Sequence, residues 1–342
     1  MQRRLCYHRL IFQAFYRRFM ATFTSLSQAG ASILLLGAWG IGQELAAPPA
    51  RPEPAELVRK TVQHEIQANG DGVHFMFRGT KTTPSGSTSK IYVETKDATA
   101  GMVIAYNGQP LTPEQRKAEE ARIERFVTNP EELRKKQRQE REDAERTMRI
   151  VRAIPDAMLF EYAGEEHGSA GVGTPGGTLV KLKFRPNPQY DPPTHVEQVL
   201  AGMQGDLLID ATRYRIARID GTLFREVGFG WGILGHLDKG GHFLVQQQEI
   251  GENHWEISRI SLDFTGKILL FKNLSIHSAE AYSDFKEVPS DLTFAQAVEL
   301  LKKEGATVAD KSTSGKLAGN GAHGLPRRAA TASQPASSLP ER

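Results

Sequence analysis

Residues 242–276, HFLVQQQEIGENHWEISRISLDFTGKILLFKNLSI, decide the fold class. Apolar residues recur at alternate positions: Ile260, Leu262 and Phe264 in one run, Ile268, Leu270, Leu274 and Ile276 in the next. A period of two puts such side chains on one face of a strand and the intervening polar ones on the other. Trp255 and Ile257 stand in the opposite phase, and the change falls around Ser258. A slip of one residue predicts a bulge that bends the strand, and bent strands favour a curled sheet.

Outward from this stretch the β signal continues over Ala157–Val288. Strands are predicted at Met158–Tyr162, Leu179–Phe184, Asp206–Asp210, Tyr214–Ile219, Leu223–Phe229, His242–Ile250, Trp255–Phe264, Lys267–Ile276 and Tyr282–Val288, with turns at Gly221, Gly251 and Gly266. Earlier runs at Val73–Thr82, Ser89–Lys96 and Ala100–Tyr106 are separated by Pro84-Ser85-Gly86 and Asn107-Gly108, both hairpin signals. Gaps this short force antiparallel pairing, since parallel neighbours need long crossovers. The expected fold class is therefore α+β and β-dominated, built on a curled antiparallel sheet.

Helical segments punctuate the meander. Leu57, Val58, Val62 and Ile66 keep helical spacing until Asn69-Gly70. Residues 112–152 form an insertion: Thr112-Pro113-Glu114-Gln115 and Asn129-Pro130-Glu131-Glu132 each place an N-cap before a proline at the first helical position. The second helix carries Arg134, Lys135, Lys136, Arg138, Arg141, Arg146, Arg149 and Arg152 among Glu140, Glu142, Asp143 and Glu145. Its cations suit a phosphate or lipid headgroup, but the interleaved acids dilute the field, so it reads as a solvated face. A short helix is expected over Pro192–Gly202 and a longer one over Leu292–Glu304, capped by Asp291. Residues 305–342 are poor in large apolar groups and read as a disordered tail over Lys311–Arg342.

At the N-terminus, the apolar run AGASILLLGAWGIG (29–42) follows Arg17-Arg18 and precedes small residues up to Ala47. That basic, apolar, small-residue order is a secretory signal, too short for a comfortable permanent span, with cleavage expected near Ala47. Residues 48–304 then form a single domain, and the expected location is the periplasm. Export removes the sole cysteine, Cys6, and with it thiol chemistry and lipidation at cysteine. The charge is only +3, from 43 Lys+Arg against 40 Asp+Glu, and much of that excess sits in the N-terminal segment expected to be removed, which argues against nucleic acid as a partner. No permanent membrane span is expected in the mature chain.

Catalytic constellations are absent from the sequence. His236, Asp238 and His242 in a glycine-rich segment, with His254 nearby, match no compact zinc spacing, so no metal is expected. Gly228, Gly230 and Gly232 lack the Lys-Ser/Thr ending and following helix of a phosphate loop, and Gly168–Gly173 reads as a flexible loop. Asp206 and Asp210 share a face but show no cleft. The reading is therefore of a non-enzyme without cofactors, whose working material is apolar: Phe75, Phe77, Tyr92, Phe224, Phe229, Trp231, Phe243, Trp255 and Phe271 are the candidates to line a cavity on the concave face.

An exported chain with an initial helix, a long meander and inserted helices resembles the periplasmic lipoprotein-carrier superfamily of the LolA and LolB type. More closely, Phe184-Arg185-Pro186-Asn187-Pro188, Gly205–Asp210, Tyr214–Arg218 and Gly228-Phe229-Gly230-Trp231-Gly232 look like exported soil-bacterial proteins labelled lipoprotein-sorting-like. The likeness spans about Glu56 to Lys303 and carries no catalytic motif. It implies an open half-barrel whose concave face is covered by helices, holding a lipid or the acyl chains of a lipoprotein, with envelope proteins as further partners. The charged insertion departs from the family pattern. An envelope interaction module with a filled core is the competing expectation.

Overall fold

The computed structural model describes residues 52–68, 72–194, 196–229, 235–251, 254–268 and 272–319. The expected signal segment, Trp231 and Phe271 lie outside the described residues. Thirteen strands form one antiparallel sheet: β1 (His74–Thr83), β2 (Gly86–Val93), β3 (Ala100–Tyr106), β4 (Gln109–Pro110), β5 (Met158–His167), β6 (Thr178–Pro186), β7 (Met203–Asp210), β8 (Arg215–Leu223), β9 (Val227–Phe229), β10 (Gly235–Leu237), β11 (His242–Gly251), β12 (His254–Ile268) and β13 (Lys272–Val288). Their order is β4-β3-β2-β1-β13-β12-β11-β8-β7-β6-β5, with β10 bridging β12 and β9. The ends β4 and β5 do not meet, so the curled sheet is an open half-barrel. Among the described residues four α-helices accompany it, α1 (Pro54–Ala68), α2 (Pro113–Thr128), α3 (Pro130–Ala157) and α4 (Phe294–Gly319), together with a 3-10 helix at Glu197–Gly202. Among the described residues no helix is long and apolar enough to cross a membrane.

The inner face holds one continuous core. Phe75, Phe77, Leu182, Leu207, Ile216, Leu223, Leu262, Phe264 and Ile276 join Leu57, Val58 and Val62 of α1, with Ile150, Val151 and Ile154 of α3 against them. Alternation sends the intervening residues outward, and the outer face has two separate covers. At one end Met76, Ile91, Val93 and Met102 meet Ile123 of α2 and Phe294, Val298 and Leu301 of α4. At the other, Leu179, Leu208, Ala217 and Trp255 form a small cluster with Val172. Helices α1 and α3 therefore cover the concave face, while α2 and α4 clasp the back of β1–β3.

The bulge at Ser258 is present: Gln246 pairs with Arg259 but Gln247 with Ile257, leaving Ser258 extra. Its hydroxyl donates to the carbonyl of Gly171. The loop read as flexible, Gly168–Gly173, is thus fastened across the back of the sheet, and Gly173 N–H also donates to the Gln247 carbonyl at 2.7 Å.

Both helix caps of the insertion form as expected. Thr112 and Gln115 make a reciprocal capping box, and Asn129 accepts from Glu131 N–H at 3.1 Å. Asn129 takes an extended conformation (φ −117°, ψ 96°), which the following Pro130 favours, so α2 stops there and α3 starts in a new direction.

Several boundaries differ from expectation. Gly221 and Gly266 lie inside β8 and β12 instead of in turns. A β-carbon on Gly221 would stand 2.4 Å from the Phe243 ring, and one on Gly266 would stand 2.1 Å from the His236 carbonyl oxygen. These glycines permit close approach within the sheet, a need that sequence shares with turns. Lys267 and Ile268 accordingly belong to the end of β12, and the two strands expected over 267–288 give way to one, β13, kinked by a register shift opposite Met76/Arg78. The run at 223–229 divides between β8 and β9, and the glycine-rich segment around His236 contains β10. The last helix begins at Phe294, with Thr293 N–H bonded to Gln296 at 2.9 Å, and continues through Gly305 to Gly319 instead of ending at Glu304.

Candidate functional site

Beneath α3, the inner face borders a partly open cavity of about 140 Å³. The last turns of α3 form its roof with Thr147, Ile150, Val151 and Ile154; Val199, Leu200 and Met203 close one end; Phe160, Phe184, Ile216, Phe243, Val245 and Phe264 belong to the sheet floor. Of the nineteen residues around it only Glu65, Thr147 and Gln247 are polar. A helix that reads as charged thus carries, over its C-terminal half, an apolar stripe. Its cations face the other way: Arg134, Arg138, Arg141, Arg149 and Arg152 are exposed.

Each polar residue has a different setting. Thr147 donates its hydroxyl to the Asp143 carbonyl at 3.0 Å, the usual back-bond of a helical threonine. Glu65 of α1 accepts from Arg215 Nε at 3.1 Å and from Ile216 N–H at 2.8 Å, tying helix to sheet. Both side chains of that pair are buried, at 2% and 9% exposure, and the Arg215 guanidinium also lies over Trp255 at 5.7 Å. Gln247 follows Phe243 and Val245 in phase along β11, so the pleat turns its amide inward; the residue is 7% exposed and its Oε1 has no partner among the described residues.

A second, larger cavity of about 460 Å³ opens near the α2–α3 corner. Its floor is aromatic, with Phe77 stacked between Tyr92 and Phe285, but its walls bring Lys90, Arg122, Lys136, Glu94, Glu140 and Glu256. Lys136 pairs with Glu140 at 2.7 Å, and Arg122 forks onto Glu119 with both contacts at 2.7 Å. Burial, with Glu280 nearby, holds the Tyr92 phenol well above its ordinary range, and the same two causes raise Tyr282. Both tyrosines stay neutral there. For an apolar ligand the smaller, apolar cavity is the better host, because the larger one is walled by charged side chains, the Lys136–Glu140 pair among them.

The nine aromatic candidates separate. Phe75, Phe77, Tyr92, Phe229 and Phe243 all belong to the inner-face core; Phe77 and Tyr92 border the larger cavity and Phe243 the apolar one. Trp255 is buried on the back of the sheet. Phe224 lies on the surface at 36% exposure, with the Arg225 guanidinium 5.6 Å from its ring centre. The residues missed in sequence are those of the α3 stripe and Gln247.

His236, Asp238 and His242 do not converge. His236 Nε2 lies 3.3 Å from Asp238 and 4.0 Å from Glu226, whereas His242 turns to Asp220 at 2.8 Å. Asp210 is a turn cap, accepting from Thr212 and Arg213 backbone N–H groups at 2.9 and 3.0 Å, and Asp206 pairs with Lys181 at 3.4 Å.

No protein-family model matches the chain, and no curated protein matches it. Among solved structures, it is similar to the crystal structure of a DUF1329 family protein from Desulfovibrio piger, at 9% identity and a TM-score of 0.27, over 73% of this chain and 99% of that one. A superposition that loose carries no argument about function.

Proposed function

We propose that the protein is an exported, non-enzymatic carrier or binding protein that shields the apolar part of a ligand, an acyl chain foremost, beneath α3, as periplasmic lipoprotein carriers do. The observation that supports this is the cavity itself, which is roofed by a helix and almost wholly apolar. Its 140 Å³ is close to the roughly 150 Å³ of apolar cavities that stay dry and admit benzene. The closed protein therefore has room for a ring or a short stretch of chain, and a longer chain requires the C-terminal half of α3 to swing outward. That motion would expose the Ile150–Ile154 stripe while leaving the cationic face in water.

Val151→Trp fills the space from the roof. The purified chain is expected to bind the neutral apolar fluorophore pyrene, and the variant to bind it at least tenfold more weakly while keeping its circular-dichroism spectrum. Overpacking of this kind costs about 1–3 kcal/mol, too little to unfold an ordinary domain. No dye binding by the unmodified chain, and no lipid retained in native mass spectrometry, would instead favour an envelope module with a filled core.

A further inference from the structure

Resting on that reading, we infer that the cavity selects a ligand bearing a neutral group that donates a hydrogen bond, a hydroxyl or an amide N–H, next to its apolar body, and that Gln247 is the residue that receives it. The alternation Phe243, Val245, Gln247 directs three successive inner-face side chains of β11 into one cavity, and a carboxamide stands where the pattern calls for a third apolar residue. Its Oε1 is buried without a partner among the described residues. The main chain holds this position firmly, since the Gln247 carbonyl accepts from Gly173 and the residue pairs with Ile257 beside the bulge. A buried amide oxygen left unsatisfied is costly, and native proteins keep few of them outside functional sites.

The neighbouring polar groups narrow the chemistry. The Thr147 proton is spent on Asp143, and Glu65 brings a carboxylate that already accepts from Arg215 and Ile216. A ligand carboxylate would enter beside another carboxylate and be desolvated against an apolar wall. A hydroxyl or amide brings a donor for Oε1 and an acceptor for the Gln247 amide hydrogens, so it matches the side chain in either orientation of its amide.

Displacement of pyrene, a fluorophore without a hydrogen-bond donor, by four chains of similar length separates these possibilities: 1-octanol, octanamide, octanoate and the ether 1-methoxyheptane, which accepts but does not donate. A purely apolar cavity prefers the ether to the alcohol, because the alcohol gives up more hydration. Here the alcohol and the amide are expected to displace the dye at concentrations at least tenfold below those of the ether and of octanoate. In Gln247→Leu and Gln247→Met, each read against its own dye affinity, the alcohol's advantage over the ether disappears, and Tm rises as the orphan oxygen is removed. An ether that matches or beats the alcohol on the unmodified chain, or an advantage that survives both substitutions, overturns the inference while leaving the cavity as a general apolar site. Failure of the dye to bind the unmodified chain overturns both.

Discussion

Replacing Arg215 by methionine is expected to destabilise the protein by about 3–5 kcal/mol, the usual cost of removing one member of a buried ion pair. The reason lies in where its partner sits. Glu65, on the inward side of α1, is 2% exposed and borders the apolar cavity, so its charge has little water to turn to when the guanidinium is gone. The backbone N–H of Ile216 still donates to it, yet a neutral donor is a weaker compensation than the charge it loses. The stack of Arg215 on Trp255 goes too, which loosens the small cluster on the back of the sheet. Substituting both partners, Glu65→Leu with Arg215→Met, is expected to recover most of the loss, because an apolar pair of similar size needs no desolvation. Urea unfolding of the four proteins of this cycle measures the coupling directly. A cost below about 1 kcal/mol for Arg215→Met would mean that the pair is solvated and contributes as little as an exposed one.

The second large effect is at Phe264. This ring is 1% exposed, stands on the inner face of β12 and borders the same cavity. Phe264→Ala is expected to cost about 3–5 kcal/mol, from lost burial plus the void it leaves. Unlike most core truncations, it would enlarge an existing apolar space. The variant should therefore accept bulkier apolar ligands than the unmodified chain and be restored by them, regaining about 2.7 kcal/mol at a hundredfold excess of ligand over Kd. Thermal unfolding with and without ligand reads both parts. A variant that is destabilised but unresponsive to ligand would place the void apart from any binding space.

Much of the framework was legible because it rests on local rules. The phase change at Ser258 foretold the bulge, and Thr112 and Asn129 announced the two helix starts, since caps and pleats are set by neighbours in sequence. Where reading failed, one residue type serves two purposes. Gly221 and Gly266 resemble turn residues but are required by a neighbouring ring and by a neighbouring carbonyl. Trp255 looked like cavity lining, yet it packs on the back with Leu179 and Leu208, partners that only the sheet order brings to it. The roof of the cavity was hidden in plain composition: Thr147, Ile150, Val151 and Ile154 keep helical spacing, but the surrounding arginines and glutamates dominate any average taken along that helix. Gln247 escapes notice because a glutamine in a strand is ordinary until Phe243 and Val245, in phase with it, prove to line the same cavity.

The most direct test of the central claim is a crystal of the full chain soaked with 8-bromo-1-octanol, with the bromine located by its anomalous scattering. A bromine peak enclosed between Ile150 and Ile154 of α3 and Phe243 and Phe264 of the sheet is the expected result. Bromine found only on the surface or among the charged walls near Lys136 and Glu140, with the space beneath α3 unchanged, would contradict it.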